Sequence, residues 1–141
     1  MTVRVERTMT VSAAPDRVWE FISDPEQRAR PISVVQDWEI HGDDTATWHI
    51  RLPIPLVDRT ITVETEDVER RDREYVRFIG RSKVMRVQGE QELEPTDDGG
   101  TQVTSRFVVD GRLPGVERFF KRNLDDELGN LEAALNNYLE P

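Results

Sequence analysis

Polar residues stand at inward-facing positions of the predicted strands, where their chemistry would be available to a ligand. These residues are Arg7, Arg59, Gln91 and Ser105. A buried polar group needs a hydrogen-bond partner, which protein, water or ligand can supply. One interpretation makes Arg59, Gln91 and Ser105 the polar anchors of an otherwise apolar pocket. In the alternative they bond to one another or to the backbone, or a β-bulge turns them outward.

Apolar residues on the same strands and on the last helix could line such a pocket. The predicted ligand-binding set adds to the three anchors the residues Trp38, Trp48, Ile61, Phe78, Phe107, Val116, Phe119 and Phe120. The alternative is an ordinary core, because aromatic side chains dominate core energetics. The sequence leaves both interpretations open.

Acid–base and metal chemistry are poorly represented in the sequence. Arginine stays protonated, so the inward arginines are poor general bases. His41 shares a turn with Asp43 and Asp44, which is a weak metal-binding pattern. The sequence has no cysteine, which excludes thiolate zinc sites and a cysteine nucleophile. We therefore predict no catalytic residue, no metal and no cofactor.

A strand and two short helices are predicted at the start of the chain. Apolar and polar residues alternate from Val3 to Val11, which is typical of a half-buried strand. Pro15 suits the first position of a helix that follows this strand. Asp24 can cap a second helix, with Gln27 completing a capping box, and Pro31 would end that helix.

Six further strands and one long helix complete the predicted elements. The predicted strands are Val34–Ile40, Thr45–Leu52, Val57–Val68, Tyr75–Arg81, Val84–Glu94 and Thr101–Leu113. From Pro114 onward, apolar residues recur at spacings of three and four, which predicts a long amphipathic helix. Strands grouped apart from helices indicate an α+β fold. We expect a bent antiparallel sheet of about seven strands to wrap around the C-terminal helix, since that buries both apolar faces.

The strongest hairpin signal, Asp97-Asp98-Gly99, lies between the last two predicted strands. A three-residue loop at this point would place Gln91 opposite Ser105. Two of the predicted anchors would then lie side by side on the inner face of the sheet.

Composition limits the classes of protein to which the chain can belong. Its 141 residues predict one domain, over residues 1–141. A net charge of −9 argues against nucleic-acid binding, which needs a basic surface. An acidic excess with few lysines favours a protein adapted to a high-salt cytoplasm. No apolar run approaches the ~20 residues of a membrane span, and the start has no signal-peptide pattern, so we expect a cytoplasmic protein.

Several segments together resemble the START-like, or SRPBCC, superfamily with its helix-grip (Bet v 1-like) fold. They are Ala14-Pro15-Asp16-Arg17-Val18-Trp19, Asp24-Pro25-Glu26 and Leu93-Glu94-Pro95 with Gly99-Gly100-Thr101-Gln102-Val103-Thr104. Within that superfamily the chain looks most like the branch of polyketide cyclases/dehydrases and carbon monoxide dehydrogenase proteins. The carbon monoxide dehydrogenase proteins usually have a Leu-Pro-Gly step after the second helix, whereas this chain has Arg30-Pro31-Ile32-Ser33.

The resemblance implies a hydrophobic cavity between the sheet and the long helix, open near the start of that helix. Members of the superfamily bind lipids, quinones, polyketides or hormones, and some are enzymes. Near the expected cavity mouth, Asp58 and Glu117 are the remaining candidates for a general acid or base. Because the only charges predicted inside are those of Arg7 and Arg59, the polar end of the ligand is expected to be an anion or a carbonyl group.

We predict that the protein binds or transports a hydrophobic small molecule, such as a lipid, an isoprenoid quinone or a polyketide-like compound. The first alternative is a cyclase or dehydratase that acts on a polyketide-like substrate. The second alternative is an assembly or chaperone cofactor that works through a protein partner. For that role Pro53-Ile54-Pro55-Leu56 is the candidate apolar docking segment.

Overall fold

The computed structural model describes residues 2–54 and 60–140 and contains seven strands and three helices in that part of the chain. The order is β1 (Thr2–Val11), α1 (Pro15–Ile22), α2 (Pro25–Ala29), β2 (Val35–Ile40), β3 (Thr45–Ile50), β4 (Ile61–Arg71), β5 (Tyr75–Arg81), β6 (Met85–Pro95), β7 (Thr101–Gly111) and α3 (Pro114–Leu139). The predicted α+β helix-grip fold, with two short helices after the first strand, is confirmed.

All seven strands form one antiparallel sheet in the order β1-β7-β6-β5-β4-β3-β2. Only β1 departs from sequence order, because it pairs with the last strand. The β6–β7 hairpin turns at residues 97–99, where Gly99 has a φ of 87° that favours glycine. Gln91 therefore pairs with Ser105 and Gly89 with Phe107, as the three-residue loop predicted.

Strand β4 is displaced along the chain from its predicted position. It begins at Ile61 and continues through Arg71, instead of ending near Val68. The predicted first residues of this strand, 57–59, lie outside the described residues. Arg73, with a φ of 63°, forms the tight turn to β5 that replaces the predicted polar loop. A register shift between Asp67 and Glu69 leaves Val68 exposed.

The two short helices start where the sequence predicted, but their details differ. Pro15 occupies the first turn of α1. The Asp24 carboxylate caps α2 by accepting from the Glu26 amide at 2.9 Å, and no hydrogen bond joins it to Gln27 among the described contacts. On α1 the buried residues include Phe21, whereas Trp19 is half-buried. The α1 face therefore turns toward α3 by about one residue relative to the prediction.

Two groups of buried side chains separate the sheet from α3. The cavity core comprises buried residues from β2 to β7 and the first half of α3, among them Val34, Trp48, Ile50, Val63, Phe78, Val87, Phe107, Val109, Phe120, Leu124 and Leu128. The packed core comprises Val11, Val18, Phe21, Ile22, Val76, Leu93, Val103 and Leu135. Helix α3 spans both cores, so its apolar stripe closes the whole inner face of the sheet.

A buried ion pair joins the two cores. The Arg28 guanidinium donates to the Asp67 carboxylate at 2.7 Å and to the backbone oxygen of Ile22 at 3.2 Å. It also lies over the Phe78 ring, 4.5 Å from the ring centre. The Arg28 and Asp67 side chains are only 3 % and 1 % exposed. This pair anchors α2 to β4.

The prediction that Arg7 and Arg59 are the only interior charges is wrong. Arg28, Asp67 and Glu127 are all buried. Arg7 does point inward, but it stays one-third exposed and pairs with Glu132 on α3 at 2.8 Å. Inward alternation along β4 reaches Asp67 by the same rule that places Ile61 and Val63, so this charge was readable from the strand pattern.

Among the described residues, no helix is both long enough and apolar enough to cross a membrane.

Candidate ligand cavity

The cavity core encloses a void between the sheet and α3. Its walls come from the segment after α2, from β3, β4, β6 and β7, and from the middle of α3. The lining residues are Ile32, Val34, Val35, Trp48, Ile50, Val63, Met85, Val87, Phe107, Val109, Phe120, Leu124, Glu127 and Leu128. All but Glu127 are apolar or aromatic, so the void is a hydrophobic site with one carboxyl group.

Glu127 is the charged residue of this cavity. Its Oε1 accepts hydrogen bonds from the Ser33 amide at 3.2 Å, the Ser33 hydroxyl at 2.8 Å and the Asn130 side chain at 2.8 Å. Its Oε2 is buried and has no hydrogen-bond partner among the described residues. The carboxyl group is thus held rigidly through one oxygen while the other remains available as an acceptor.

Trp48 supplies a donor to the same cavity. Its indole Nε1 is buried and has no hydrogen-bond partner among residues 2–54 and 60–140. The Trp48 ring packs against Phe78, with ring centres 5.7 Å apart, which fixes its orientation. Buried polar groups normally have partners, so two unpaired atoms in one cavity indicate a place where a ligand can bond.

Sequence reasoning missed Glu127, although the helical spacing contained the signal. Phe120, Leu124, Glu127 and Leu131 follow one another at intervals of four, three and four residues. This is the spacing of a single helix face, so Glu127 occupies a buried position of the apolar stripe. A carboxylate at such a position marks either a buried partner or a functional site.

The predicted ligand-binding residues fall into separate places. Trp48, Phe107 and Phe120 line the cavity. Ile61, Phe78 and Val116 are buried in the core around it, and Trp38 is half-buried on β2. Arg59 lies outside the described residues, as does Asp58. Their roles in ligand binding stay predictions.

Gln91 and Ser105 lie in the packed core, away from the cavity. The Gln91 side-chain nitrogen donates to the Ser105 hydroxyl at 3.2 Å, and both residues are buried. The hollow beside them, near Met9 and Leu135, is about 10 Å³, below or at the volume of a water molecule. The structure therefore favours the alternative in which these two residues bond to each other.

Phe119 lies outside the cavity, in an open groove at the start of α3. This outer groove is lined by Pro53, Ile54, Gly115, Arg118, Phe119, Arg122 and Asn123. Phe119 contacts the ring of Phe120 edge-on, with ring centres 5.1 Å apart. The aromatic pair is thus the wall between the outer groove and the cavity. Glu117, the remaining candidate acid from the sequence, is half-buried in the first turn of α3 and lines neither space.

The candidate metal pattern at the β2–β3 turn has a different explanation. The His41 Nε2 lies 2.7 Å from the Thr47 hydroxyl, which donates to Glu64 at 2.9 Å. In the described part of the chain, no three potential metal-binding side chains converge.

The volume of the cavity constrains what it can hold. It measures about 40 Å³, enough for a few water-sized groups. A molecule with one or more rings needs about 300 Å³ or more, so it would have to displace α3 or the segment of residues 30–34. Both are joined to each other by the Ser33–Glu127 hydrogen bonds, so a ligand that engages Glu127 acts directly on the contact that closes the cavity.

Sequence comparison assigns the chain to a family. Residues 2–136 match the family model described as polyketide cyclase / dehydrase and lipid transport. The chain belongs to this family. No curated protein sequence matches it significantly.

Solved structures confirm that the family fold extends over almost the whole chain. The Zhui aromatase/cyclase from Streptomyces sp. R1128 is 17 % identical, with 99 % of this chain and 97 % of that chain covered and a TM-score of 0.72. A START superfamily protein from Mycobacterium smegmatis is 13 % identical over 95 % and 94 %, with a TM-score of 0.74. Truncated norcoclaurine synthase from Thalictrum flavum is 13 % identical over 100 % and 96 %, with a TM-score of 0.68. At these identities the likeness concerns the fold.

Proposed function

We propose that this family member binds a mostly apolar, flat small molecule in the cavity between the sheet and α3. The observation that carries the proposal is the pair of buried atoms without partners among the described residues, Oε2 of Glu127 and Nε1 of Trp48, in an otherwise apolar wall. An acceptor and a donor of this kind suit a ligand that carries a hydroxyl or carbonyl group. The family description, which names polyketide chemistry and lipid transport, supports this class of ligand.

The buried carboxyl group changes the expected polarity of the ligand. An inward arginine would favour an anionic or carbonyl end, whereas the free oxygen of Glu127 would repel an anion and accept from a hydroxyl group. We therefore expect neutral phenols or alcohols to bind better than carboxylates of the same shape.

A filling substitution tests the location of the site. We expect 2-naphthol to bind the wild-type protein and to quench Trp48 fluorescence, and Leu124→Phe to weaken binding at least tenfold by occupying the cavity. Leu113→Phe makes the same change at an exposed position and should leave binding unchanged. Equal affinity of the two variants would contradict binding in this cavity.

A charge-removing substitution tests the polar anchor. Glu127→Gln keeps the shape of the side chain but removes the charge, so it should raise the affinity for 2-naphthoate relative to 2-naphthol. Asp126→Asn, the same change at an exposed neighbouring position, is the matched control. An unaltered preference in Glu127→Gln would show that the carboxyl group does not read the ligand.

A second candidate function is proton transfer, favoured by the position of Glu127 at the cavity. A carboxylate there could take a proton from the carbon next to a ligand carbonyl group, while the Trp48 N–H stabilises the enolate oxygen. Return of the proton to carbon completes the cycle without a co-reactant. We would follow deuterium incorporation into 2-tetralone in heavy water by NMR. Exchange that depends on the protein and disappears in Glu127→Gln, but not in Asp126→Asn, supports an enzyme; exchange equal to buffer supports binding alone.

A further inference from the structure

One end of the molecule carries a concentration of cations, although the chain as a whole has a net charge of −9. We define the basic end as the exposed residues Arg51, Arg81, Lys83, Arg86, Arg112, Arg118, Lys121 and Arg122. Within residues 2–54 and 60–140, none of these eight side chains forms an ion pair. Both lysines of the sequence belong to this group.

Strand register and backbone contacts place these residues at the same end of the sheet. Arg81 pairs with Arg86 across the β5–β6 hairpin, and Lys83 lies in the turn between them. The Arg112 amide donates to the backbone oxygen of Val84 at 2.8 Å, which brings the end of β7 beside that turn. Helix α3 starts directly after Arg112 and carries Arg118 and Arg122 along the outer groove.

The opposite end of the sheet shows the usual treatment of surface arginines in an acidic protein. At the β4–β5 turn, Arg71, Arg73 and Arg77 lie within 4 Å of Glu69 or Asp72. At the basic end the described carboxylates are Asp110, opposite Arg86 in the register, and Glu117. The cations therefore form a local positive surface on a negative molecule.

Apolar side chains accompany these cations. Leu113, at the start of α3, is 40 % exposed and follows Arg112 directly. Val84 and Phe119 are half-buried next to Lys83 and Arg118. A leucine surrounded by arginines and lysines suits an interface that offers both negative headgroups and an acyl layer, because each component has a counterpart there.

We propose that the basic end docks the protein on an anionic lipid bilayer. Each lysine or arginine near such a surface contributes an attraction to acidic headgroups, and Leu113 can enter the region below them. A nucleic acid would engage the cations but would leave Leu113 and Val84 without apolar contacts.

Docking in this orientation would place the cavity next to the lipid phase. Phe119, in the outer groove, packs edge-on against Phe120, which lines the cavity. The shortest way between bilayer and cavity thus passes this aromatic pair. This last step rests on the proposed ligand-binding function, whereas docking itself does not.

Vesicle sedimentation tests the proposal with a matched pair of variants. We expect the full chain to sediment with phosphatidylcholine vesicles that contain about one third phosphatidylserine, and not with pure phosphatidylcholine vesicles. Arg118→Gln with Arg122→Gln should lower the partition coefficient about 20-fold, at about fivefold per cation. Arg71→Gln with Arg73→Gln makes the same charge change at the opposite end and should alter it less than twofold, since exposed pairs contribute little.

Two further measurements distinguish lipid docking from nucleic-acid binding and from purely apolar adsorption. Raising salt from about 0.05 M to about 0.5 M should release the protein, because screening shortens the electrostatic range. Leu113→Ser should weaken vesicle binding several-fold without changing its dependence on salt. Equal effects of the two double variants, or sedimentation with neutral vesicles alone, would overturn the proposal. Binding to a duplex oligonucleotide without vesicle binding would overturn it in favour of a nucleic-acid surface.

Because these measurements use vesicles without an added ligand, their outcome is independent of 2-naphthol binding. A protein that binds 2-naphthol but no vesicles would retain the proposed function and lose the docking surface. A protein with the reverse behaviour would retain the docking surface alone.

Discussion

In the packed core Gln91 donates to Ser105 and both groups are satisfied, whereas in the cavity core Oε2 of Glu127 and Nε1 of Trp48 are buried without partners among the described residues. The void near Gln91 is about 10 Å³, and the cavity beside Glu127 is about 40 Å³. Both regions lie between the same sheet and the same helix. The contrast shows that α3 stabilises the fold with one half of its length and forms the candidate ligand site with the other half.

The reason for the contrast lies in the residues that face the sheet from α3. In the packed core, Leu135 meets Phe21 and Val103 with side chains that interlock. In the cavity core, Glu127 takes the place of an apolar residue, and its hydrogen bonds to Ser33 hold the neighbouring segment instead of filling the space. A carboxylate cannot fill an apolar space as a leucine would, because its desolvation must be offset by hydrogen bonds.

The largest expected effect concerns the ion pair that joins the two cores. Asp67→Leu would leave the Arg28 guanidinium buried and uncompensated, so we expect a loss of about 3–5 kcal/mol in the free energy of unfolding. Urea denaturation followed by circular dichroism measures this loss. Glu26→Leu removes the partner of Arg30 from an exposed pair and should change stability by less than about 1 kcal/mol.

If Asp67→Leu does not fold, the double variant Arg28→Met with Asp67→Leu keeps the prediction testable. Replacing both partners by apolar residues should recover most of the stability, because no charge is then left buried. Equal stability losses for Asp67→Leu and Glu26→Leu would show that the buried pair does not join the cores.

An intermediate effect compares the packing of the two cores directly. Val103→Ile and Val109→Ile add the same methylene group at two buried positions of β7. In the packed core the addition should cost about 1–3 kcal/mol, because no space is available. Beside the cavity it should be neutral or stabilising. Thermal unfolding of both variants measures the difference, and a larger loss for Val109→Ile would refute the assignment of tight and loose halves.

The smallest effect is a titration at the packed side of the sheet. Burial, followed by the 2.6 Å hydrogen bond to Glu90, raises the pKa of Tyr75 to about 12. Because this value exceeds the ordinary 10.0, the neutral phenol stabilises the fold fully below about pH 10. That contribution is lost as the pH rises through about 12. The absorbance of tyrosinate should show one late ionisation in the folded protein.

Tyr75→Phe should remove this late ionisation, and Tyr138→Phe should retain it. Conversely, if Tyr75→Phe kept a tyrosinate signal at the same high pH, the hydrogen bond to Glu90 would not control it. Together with Trp48 fluorescence in the cavity core, this titration gives each core its own spectroscopic signal.

Alternation and turn residues predicted most of the fold because they act locally. The hairpin at Asp97-Asp98-Gly99 determined which β6 residue faces which β7 residue, and Gln91 met Ser105 accordingly. Pro15 and Asp24 placed the helix starts for the same reason. The start of β4 was missed because alternation alone does not say where along a run of apolar and polar residues a strand begins to pair.

The candidate site was predictable only in part. Trp48, Phe107 and Phe120 were correctly expected near one another, since inward parity and helical spacing point them to the same space. Gln91 and Ser105 had the same parity, yet they lie in the packed core because the register places them about two residues farther along the sheet than Gly89 and Phe107, on the side of Leu135. Strand parity gives the face of a residue, whereas its position along the strand decides which core it joins.

The sequence by itself determined the order of the elements, the antiparallel hairpins and the apolar faces of sheet and helix, because each depends on neighbours within a few residues. Only the tertiary structure decided that Glu127 closes on Ser33, that Arg28 meets Asp67, and that eight cations meet at one end of an acidic protein. These contacts join segments far apart in the chain, so their energies depend on packing and desolvation that no local pattern contains. The chemistry of the proposed site belongs to this second class.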